Sequence, residues 1–375
     1  MKIAIIGYFG YRNVGDDLLL QGICDYIKSI NKDCIITVFG NAKNINNLMG
    51  NTVVVKKKNP FLILMDIFFN EDALVIGPGG LFPSQKTVKI IFYLLALSAV
   101  KIKRGIGMGI GVGIGTGNFK SEIDIWLLEK MFNASKVFVL RQKIPNIRGI
   151  LECEKRGKLV EAADIILSEK VLQNIDIEKK NRKVVISLAN IFGSNHRYKE
   201  EFVDEIVRFI KKINREGYEV KLVAFSNESD QAINDEVAEK VNTHKCVSMK
   251  YEEDPKVAVN EIFSSQYVVG MRFHSVIISI RAGTPCCAIA YSDKTEDIMC
   301  RLGLEKYCVR FGISEKEYFN EKKQIVANDI MEMFMSLTVN EKFVINQINK
   351  KKEELCDLAD LNFHYINKYL NEETC

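Results

Sequence analysis

Short apolar runs alternate along the chain with longer stretches whose apolar positions recur at helical spacing. The runs predict buried β-strands, and the longer stretches predict amphipathic helices. Such alternation is typical of parallel sheets covered by helices. The predicted strands are Lys2–Ile6, Ile35–Phe39, Ala73–Ile76, Gly105–Ile114, Lys136–Leu140, Val184–Leu188, Val220–Ala224, Tyr267–Val269 and Pro285–Ala290. The predicted helices are Leu18–Ile30, Lys89–Val100, Ile123–Phe132, Glu200–Arg215, Asp230–Val241, Val257–Ser264 and Arg272–Arg281.

The length of 375 residues predicts two domains, because a single hydrophobic core rarely grows that large. The polar, charged stretch 174–183 interrupts the alternation and predicts a linker. We therefore expect an α/β protein with two Rossmann-like domains, an N-terminal one over 1–173 and a C-terminal one over 184–335. Lysine-rich helices are predicted to follow over 336–375.

Composition excludes several classes of function. The net charge of +4 is far from the dense basic surface of a nucleic-acid binder. Ten cysteines without a C-x-x-C pair favour a reducing compartment over a disulfide framework, and four dispersed histidines argue against a zinc site. The N-terminus reads as a strand, not a signal peptide, and no apolar run reaches the about 20 residues of a spanning helix. We expect a cytoplasmic location.

The first strand-to-helix junction, residues 7–17, is rich in glycine and polar side chains. Asn13, Gly15 and Asp16 are candidates for binding a ligand there, and Asp16 or Asp17 could instead cap the following helix. The glycine spacing matches neither the dinucleotide-binding fingerprint nor the P-loop. A plain structural turn is the alternative interpretation.

Three further candidates follow predicted strands, where ligands bind in open α/β sheets. Gly79 and Gly80 could line a ligand or simply allow the chain to turn. Arg141 follows the strand Lys136–Leu140, and Lys294 follows the strand that ends near Tyr291. Taken alone, each of these cations is most typical of a solvated surface residue.

The junction at 267–285 is the most informative, because it places Arg272 and His274 on the first turn of a helix that stops at Gly283. Cations at a helix N-terminus are unfavourable for the helix itself, so something negative should compensate them. The free N–H groups at that end also favour an anion. The pattern favours a functional site over a surface arginine and a satisfied histidine.

These motifs together resemble the polysaccharide pyruvyl transferase family. The resemblance rests on the ordered segments GYFGYRNVGDDLLL, VIGPGGLF, GIGMGIGVG, GMRFH and AYSDK, which span about residues 1–300. It implies a GT-B-like fold, with the acceptor side in the first domain, the donor side in the second and the active site in the cleft between them. It also implies phosphoenolpyruvate as donor and a sugar hydroxyl pair as acceptor, giving a pyruvate ketal on a cell-surface polysaccharide or its lipid-linked precursor at the cytoplasmic face of the membrane.

Phosphoenolpyruvate carries a carboxylate and a phosphate, and arginine suits both groups through bidentate hydrogen bonds. We expect His274 to act as general acid or base and Arg272 to bind one anionic group. Lys294 and Arg141 are further candidates for the same anion. The expected substrate-binding set is Asn13, Gly15, Asp16, Gly79, Gly80, Arg141 and Lys294. Because cationic side chains can neutralise the donor, we expect no metal and no cofactor.

Two other functions fit the same pattern. A nucleotide-sugar glycosyltransferase shares the fold, and a family member without catalytic activity could act in glycan assembly. A separate feature is the basic cluster Lys56-Lys57-Lys58 before the apolar stretch Phe61–Phe69. It indicates either a peripheral membrane contact or a buried helix beside solvated lysines, and the pattern alone favours the buried helix.

Overall fold

The computed structural model describes the chain except residues 57–58, 83–86, 105–107, 117–120, 176, 193–195, 252–253, 312–326 and 372–375. Contacts divide it into two compact units. The first comprises Met1–Tyr11, Asp16–Gln173 and Leu355–Cys375, and the second comprises Arg12–Gly15 and Asn174–Glu354. The chain passes from one unit to the other at Gln173 and Asn174, where the predicted linker begins.

The first unit is built on a parallel sheet with strand order β3-β2-β1-β4-β6-β7-β8, in which β5 pairs with β6. Its strands are β1 (Lys2–Ile6), β2 (Ile35–Phe39), β3 (Val54–Lys56), β4 (Ala73–Ile76), β5 (Gly79–Phe82), β6 (Met108–Thr116), β7 (Val137–Leu140) and β8 (Leu159–Glu161). Its helices are α1 (Val14–Ile30), α2 (Ala42–Met49), α3 (Pro60–Asn70), α4 (Thr87–Arg104), α5 (Glu122–Ala134) and α6 (Arg148–Lys155).

One core cluster joins helices α3, α4, α5 and α6 to the strands beneath them. Ile67, Leu97, Met131 and Cys153, one from each helix, are buried in this cluster together with strand residues such as Leu74. These four helices therefore cover the same face of the sheet.

The second unit is built on a parallel sheet of six strands in the order β11-β10-β9-β12-β13-β14. Numbered within the unit, this is the 3-2-1-4-5-6 order of the Rossmann fold. Its strands are β9 (Lys183–Ser187), β10 (Glu219–Val223), β11 (Cys246–Met249), β12 (Tyr267–Gly270), β13 (Cys286–Ala290) and β14 (Cys308–Arg310). Its helices are α7 (His196–Arg215), α8 (Asn227–Val241), α9 (Lys256–Phe263), α10 (Phe273–Ala282), α11 (Asp293–Arg301) and α12 (Ala327–Val339).

The predicted C-terminal helices are α12 and the long helix α13 (Glu341–Asn371), and the division between units falls within α13. Beyond Leu355, α13 packs on the first unit. Phe363 lies with its ring centroid 4.5 Å from that of Tyr26, and the Asn362 side chain donates to the carbonyl of Ala163 at 3.2 Å. The last part of the chain is thus anchored in the N-terminal unit.

The strands predicted over Lys2–Ile6, Ile35–Phe39 and Ala73–Ile76 are confirmed with the same bounds. Short elements without a distinctive pattern were not predicted, among them β3, β8, β11 and β14. Helix α1 begins at Val14, four residues before the predicted start. The first part of the predicted strand Gly105–Ile114 lies outside the described residues, and β6 continues to Thr116.

Helix α3 corrects the interpretation of the apolar stretch Phe61–Phe69 as a buried helix. Phe61 is 68% exposed and Phe69 is 60% exposed, whereas Asp66 and Ile67 are buried. Of the preceding basic cluster, Lys56 forms an ion pair with Asp66 at 2.8 Å, and Lys57 and Lys58 lie outside the described residues. The apolar stretch is therefore largely a surface of the molecule.

The cysteines of the described residues are all free thiols. Cys286 and Cys287 are both fully buried in β13, and burial raises the pKa of the Cys286 thiol to about 12. Among the described helices, none is both long and apolar enough to cross a bilayer.

Candidate active site

Arg272 and His274 lie where β12 gives way to α10. Arg272 is the N-cap residue, with extended backbone angles, and His274 is the second residue of the helix. The prediction that both lie on the first turn is thus wrong by one position for Arg272. The helix ends at Gly283, whose positive φ of 63° is the left-handed conformation that glycine adopts readily.

The negative partner of Arg272 is Asp230 of α8, a residue that sequence analysis missed. The Arg272 Nε donates to the Asp230 Oδ2 at 2.9 Å, and the Nη2 donates to the Oδ1 at 2.5 Å. Asp230 is fully buried and also accepts the Ser226 N–H at 2.9 Å. This bidentate pair fixes the plane of the guanidinium.

The guanidinium keeps its charge despite partial burial. Burial lowers the pKa of Arg272, but the hydrogen bonds and negative charge of Asp230 outweigh this effect, so the pKa lies above its ordinary value. The Nη1 also approaches the Tyr291 hydroxyl at 3.4 Å. Since a guanidinium has five N–H donors, two of them have no acceptor within the described part of the chain. Those two donors can bind an anionic ligand.

Two buried serines hold the backbone of Arg272. The Ser187 Oγ accepts the Arg272 N–H at 3.3 Å and donates to the Ser275 Oγ at 2.6 Å. The Ser275 Oγ in turn donates to the Arg272 carbonyl at 2.6 Å. A Cβ atom built at Gly270 would lie 2.7 Å from the Ser275 Oγ, so this glycine is required for the close approach.

The His274 imidazole packs directly on Gly15, and both residues belong to the second unit. A Cβ atom built at Gly15 would lie 1.7 Å from the His274 Nδ1. The His274 ring also contacts the Phe273 ring, with centroids 5.2 Å apart, and the Lys294 Nζ lies 5.3 Å from the centroid of the Phe273 ring. The predicted residues Gly15, Arg272, His274 and Lys294 therefore cluster around the start of α10.

Asn13, not Asp16 or Asp17, acts as the cap of α1. The Asn13 Oδ1 accepts the Gly15 N–H at 3.1 Å, as an N-cap side chain does, and this corrects the expectation of an aspartate cap. The Val14 N–H donates to the Phe225 carbonyl at 2.9 Å, and Asn13 pairs with Ser226 in an isolated antiparallel bridge. These bonds fix the position of Gly15 next to the His274 ring.

The first unit contains a second cluster of predicted residues. A Cβ atom built at Gly79 would lie 3.1 Å from the Asp16 Oδ1, and the φ of Gly79 is +115°, a conformation that favours glycine. A Cβ atom built at Gly80 would lie 4.0 Å from the Arg141 Nη2, and Gly80 itself is exposed. Asp16, Gly79, Gly80 and Arg141 thus lie close together.

Arg141 is not the solvated surface residue that its position alone suggested. Its side chain is 2% exposed, and its Nη1 donates to the Asp164 Oδ2 at 2.7 Å. Asp164, also buried, caps a 3₁₀ turn over Ile165–Leu167 by accepting the Ile166 N–H at 3.1 Å. A structural ion pair therefore engages one end of the Arg141 guanidinium.

We expect Asp164→Ala to lower the free energy of unfolding by about 3–5 kcal/mol, because it leaves the Arg141 charge buried without its carboxylate. Urea unfolding of both proteins measures the difference. The matched control is Glu152→Ala, which breaks an exposed ion pair with Lys155 in the same unit and should leave the midpoint unchanged. Equal midpoints for wild type and Asp164→Ala would contradict a structural role for the buried pair.

Asp230, Tyr291, Ser187 and Asp164 were not among the predicted site residues. Tyr291 belongs to the AYSDK segment that supported the family resemblance, so its motif could have identified it. Asp230 lies 42 positions from Arg272, and no local spacing signals such a contact. Within the described residues, no group of His, Cys, Asp or Glu side chains is arranged to hold a metal ion.

Comparison with solved structures identifies the class of fold. The UDP-GlcNAc 2-epimerase from Neisseria meningitidis bound to UDP-GlcNAc superimposes with a TM-score of 0.59 at 9% identity, covering 99% of this chain and 100% of that chain. S. aureus MnaA with UDP gives 0.60 at 9%, covering 99% and 96%, and a UGT transferase from Siraitia grosvenorii with UDP gives 0.57 at 11%, covering 98% and 99%. The protein has a GT-B-like fold of two Rossmann-like domains, as predicted.

Within that class, the family model for polysaccharide pyruvyl transferase matches residues 13–293. The match covers most of the chain, so this protein belongs to the polysaccharide pyruvyl transferase family. Comparison with curated protein sequences gave no significant match.

Proposed function

We propose that the protein transfers a pyruvyl group from phosphoenolpyruvate to two hydroxyls of a sugar, in a cell-surface polysaccharide or its lipid-linked precursor. Membership in the pyruvyl transferase family supports the reaction class. The observation that carries the proposal is the Arg272 guanidinium, held by buried Asp230 at the start of α10 beside His274.

The start of α10 suits the donor because its charges complement the two anionic groups of phosphoenolpyruvate. Two N–H donors of Arg272 remain for an anion, and the positive end of the helix dipole adds to the attraction. Lys294, at the start of α11, supplies a second cation near Phe273. Cationic donors at this point also stabilise the phosphate as it leaves.

The reaction moves two protons and breaks one C–O bond of the donor. One sugar hydroxyl attacks C2 as C3 gains a proton, and the C2–O bond to phosphate then breaks. The second hydroxyl attacks the same C2 and closes the ketal ring. The two hydroxyl protons are accounted for by the new C3 methyl group and the departing hydrogen phosphate, so the atoms and charges balance without an oxidant.

His274 is the proposed group that transfers these protons. An imidazole can donate and accept a proton near neutral pH, and positioned acid–base catalysis contributes typically about 10²–10⁴-fold. Gly15 fixes where the ring can lie. Asp16, Gly79 and Gly80, which cluster in the first unit, are the proposed acceptor-binding residues.

We expect Asp230→Asn to raise the KM for phosphoenolpyruvate about tenfold or more, and to lower the melting temperature because it leaves the partly buried Arg272 charge without its carboxylate. The substitution keeps the shape of the side chain but removes the charge that orients Arg272, so Asp230 acts as a positioning residue. Steady-state phosphate release and thermal unfolding measure the two effects.

The matched control for Asp230→Asn is Asp235→Asn on the same helix. Asp235 is exposed and bonds Gln231 and Ser248, not Arg272. An unchanged KM in Asp230→Asn, or an equal change in both variants, would refute the positioning role.

A pyruvyl transferase and a nucleotide-sugar glycosyltransferase should differ in which ligand raises the melting temperature. Phosphoenolpyruvate should raise the melting temperature of the wild type, because binding to the native state alone stabilises it. The shift should be lost in Arg272→Ala and kept in Arg208→Ala, which removes an exposed arginine of the same unit. Stabilisation by UDP with none by phosphoenolpyruvate would instead support a nucleotide-sugar enzyme.

A further inference from the structure

The loop that follows β1 carries two stacked tyrosines at the surface of the first unit. The ring centroids of Tyr8 and Tyr11 lie 4.2 Å apart, and the two ring planes are inclined by only 13°. Tyr8 is nevertheless 47% exposed and Tyr11 is 53% exposed. A ring that is covered on both faces exposes only its edges, so exposure of this extent requires that the outer face of each ring is open. We call these two side chains the tyrosine pair.

The residues between the two tyrosines anchor the loop. Phe9 is fully buried, and its carbonyl accepts the Asn41 N–H at 3.2 Å. Gly10 is also buried, with a φ of +78°, and its carbonyl accepts a hydrogen bond from the Asn44 side chain at 2.7 Å. A Cβ atom built at Gly10 would lie 2.5 Å from the Asn41 carbonyl oxygen, so only glycine fits there. The pair is therefore held in place before a ligand binds, which lowers the entropic cost of binding.

The tyrosine pair lies beside the residues to which we assigned the acceptor. It follows the carboxyl end of β1, where ligands bind in open parallel sheets. Burial, the Tyr11 phenol and the Asp16 carboxylate all raise the pKa of the Tyr8 phenol, so Asp16 lies within electrostatic reach of the pair. Asp16 in turn lies next to Gly79. The pair and the proposed acceptor-binding residues thus form one continuous group within the first unit.

The chemistry of this group matches that of a sugar. The face of an aromatic ring is partially negative, and the C–H hydrogens on one face of a pyranose ring are partially positive, so the two faces attract each other. The hydroxyls of the same sugar need hydrogen-bonding partners, which the Asp16 carboxylate and the phenol hydroxyls can supply. Aromatic faces combined with a few polar groups are typical of sites that bind small organic ligands.

We propose that the tyrosine pair stacks on a pyranose ring of the acceptor glycan, with the C–H face of the sugar on the open aromatic face. The role of this sugar as acceptor rests on the proposed function. The binding of the sugar does not, because it can be measured without phosphoenolpyruvate.

A protein partner fits this surface less well. Stable protein interfaces bury about 800 Å² on each partner. Within this loop the exposed apolar area is confined to the two rings, because Phe9 and Gly10 between them are buried. An area of two rings suits one or two sugar units.

Two double variants separate the aromatic faces from the hydroxyls. Tyr8→Leu combined with Tyr11→Leu keeps apolar side chains but removes the aromatic faces, so it should weaken glycoside binding about tenfold or more. Tyr8→Phe combined with Tyr11→Phe keeps both faces, so its binding should stay close to that of the wild type. Both variants should keep the wild-type melting temperature, because the side chains are exposed.

The matched control is Phe61→Leu combined with Phe69→Leu. It removes two exposed aromatic rings from α3 of the same unit and should leave glycoside binding unchanged.

Saturation-transfer NMR of the full-length proteins measures binding, with methyl glycosides of the common hexoses and N-acetylhexosamines and without phosphoenolpyruvate. Methyl glycosides are chosen because a nitrophenyl group would itself stack on tyrosine. Irradiation of the aromatic resonances of the protein should transfer saturation most strongly to the ring C–H protons of the sugar. Titration then gives the dissociation constant for each variant.

Three results would overturn the proposal. The first is no saturation transfer from the wild type to any glycoside of the set. The second is wild-type affinity in the double Leu variant, which would place sugar binding elsewhere. The third is an equal loss of affinity in the double Leu and double Phe variants, which would assign binding to the hydroxyls.

Failure of the proposed function would give a different result. Glycoside binding that is lost in the double Leu variant and kept in the double Phe variant, with no phosphate release from phosphoenolpyruvate, would refute pyruvyl transfer and support the sugar site. Phosphate release with an unchanged acceptor KM in the double Leu variant would support pyruvyl transfer and refute the role of the tyrosine pair.

Discussion

His274→Ala should lower the kcat of phosphoenolpyruvate-dependent transfer by about 10²–10⁴-fold, because it removes the group proposed to move protons to C3 and from the attacking hydroxyls. The imidazole lies on the second residue of α10, next to the Arg272 cation that would hold the donor. Because Arg272 is untouched, the KM for phosphoenolpyruvate should change much less than kcat. Phosphate release under saturating donor and acceptor measures the loss.

The matched control is His244→Ala, which removes an exposed histidine in the loop between α8 and β11. That variant should retain wild-type turnover. Near-normal kcat in His274→Ala would refute the catalytic role and leave binding at Arg272 as the only function of the α10 N-terminus. Thermal unfolding of both variants verifies that folding is not the cause.

Gly15→Ala should reduce kcat/KM by about 10²-fold without adding or removing any polar group. A methyl group at this position would lie 1.7 Å from the His274 Nδ1, far inside van der Waals contact, so the imidazole must leave its place. A displacement of about 1 Å in a reacting group can cost about 10²-fold in rate. Kinetic assays of the purified variant measure the effect.

Gly303→Ala is the matched control for this substitution, because a Cβ atom there would meet nothing within 4 Å. Its φ of +67° makes alanine strained, so it tests whether a loss of stability alone explains a loss of activity. Full activity in Gly15→Ala would mean that His274 need not lie on Gly15 for catalysis.

Most of the architecture could be predicted from the sequence, because the strands and helices depend on the local pattern of apolar and polar residues. Buried strands such as Ile35–Phe39 are short runs of mostly apolar residues, and helices such as Glu122–Ala134 have apolar residues at helical spacing. The GMRFH segment alone predicts that Arg272 and His274 lie at a strand-to-helix junction. Parallel sheets concentrate function at such junctions, so their positions follow from the order of elements.

The features that the sequence did not predict depend on contacts between residues far apart in the chain. The apolar composition of α3 is compatible with burial, and the sequence does not show which of its sides packs against α4 and the core. The local sequence around Arg141 does not indicate that its side chain is buried in an ion pair with Asp164. Edge strands such as β14 are too short to produce a periodic signal.

The positive charge at the start of α10 is unfavourable for the helix, and this kind of unfavourable placement can indicate a functional site. An arginine as N-cap opposes the helix dipole, and the sequence therefore predicted a negative partner. Part of that compensation is internal, because Asp230 pairs with two of the guanidinium nitrogens. Two of the five N–H donors have no acceptor among the described residues, and the proposal assigns them to the donor substrate.

The most direct test of the account is to incubate the purified protein with phosphoenolpyruvate and a panel of nitrophenyl and lipid-linked glycosides, and to follow phosphate release together with the mass of the glycoside. We expect acceptor-dependent phosphate release and a glycoside whose mass has increased by one pyruvyl ketal, both lost in His274→Ala and kept in His244→Ala. No phosphate release with any acceptor, together with no stabilisation by phosphoenolpyruvate, would contradict it.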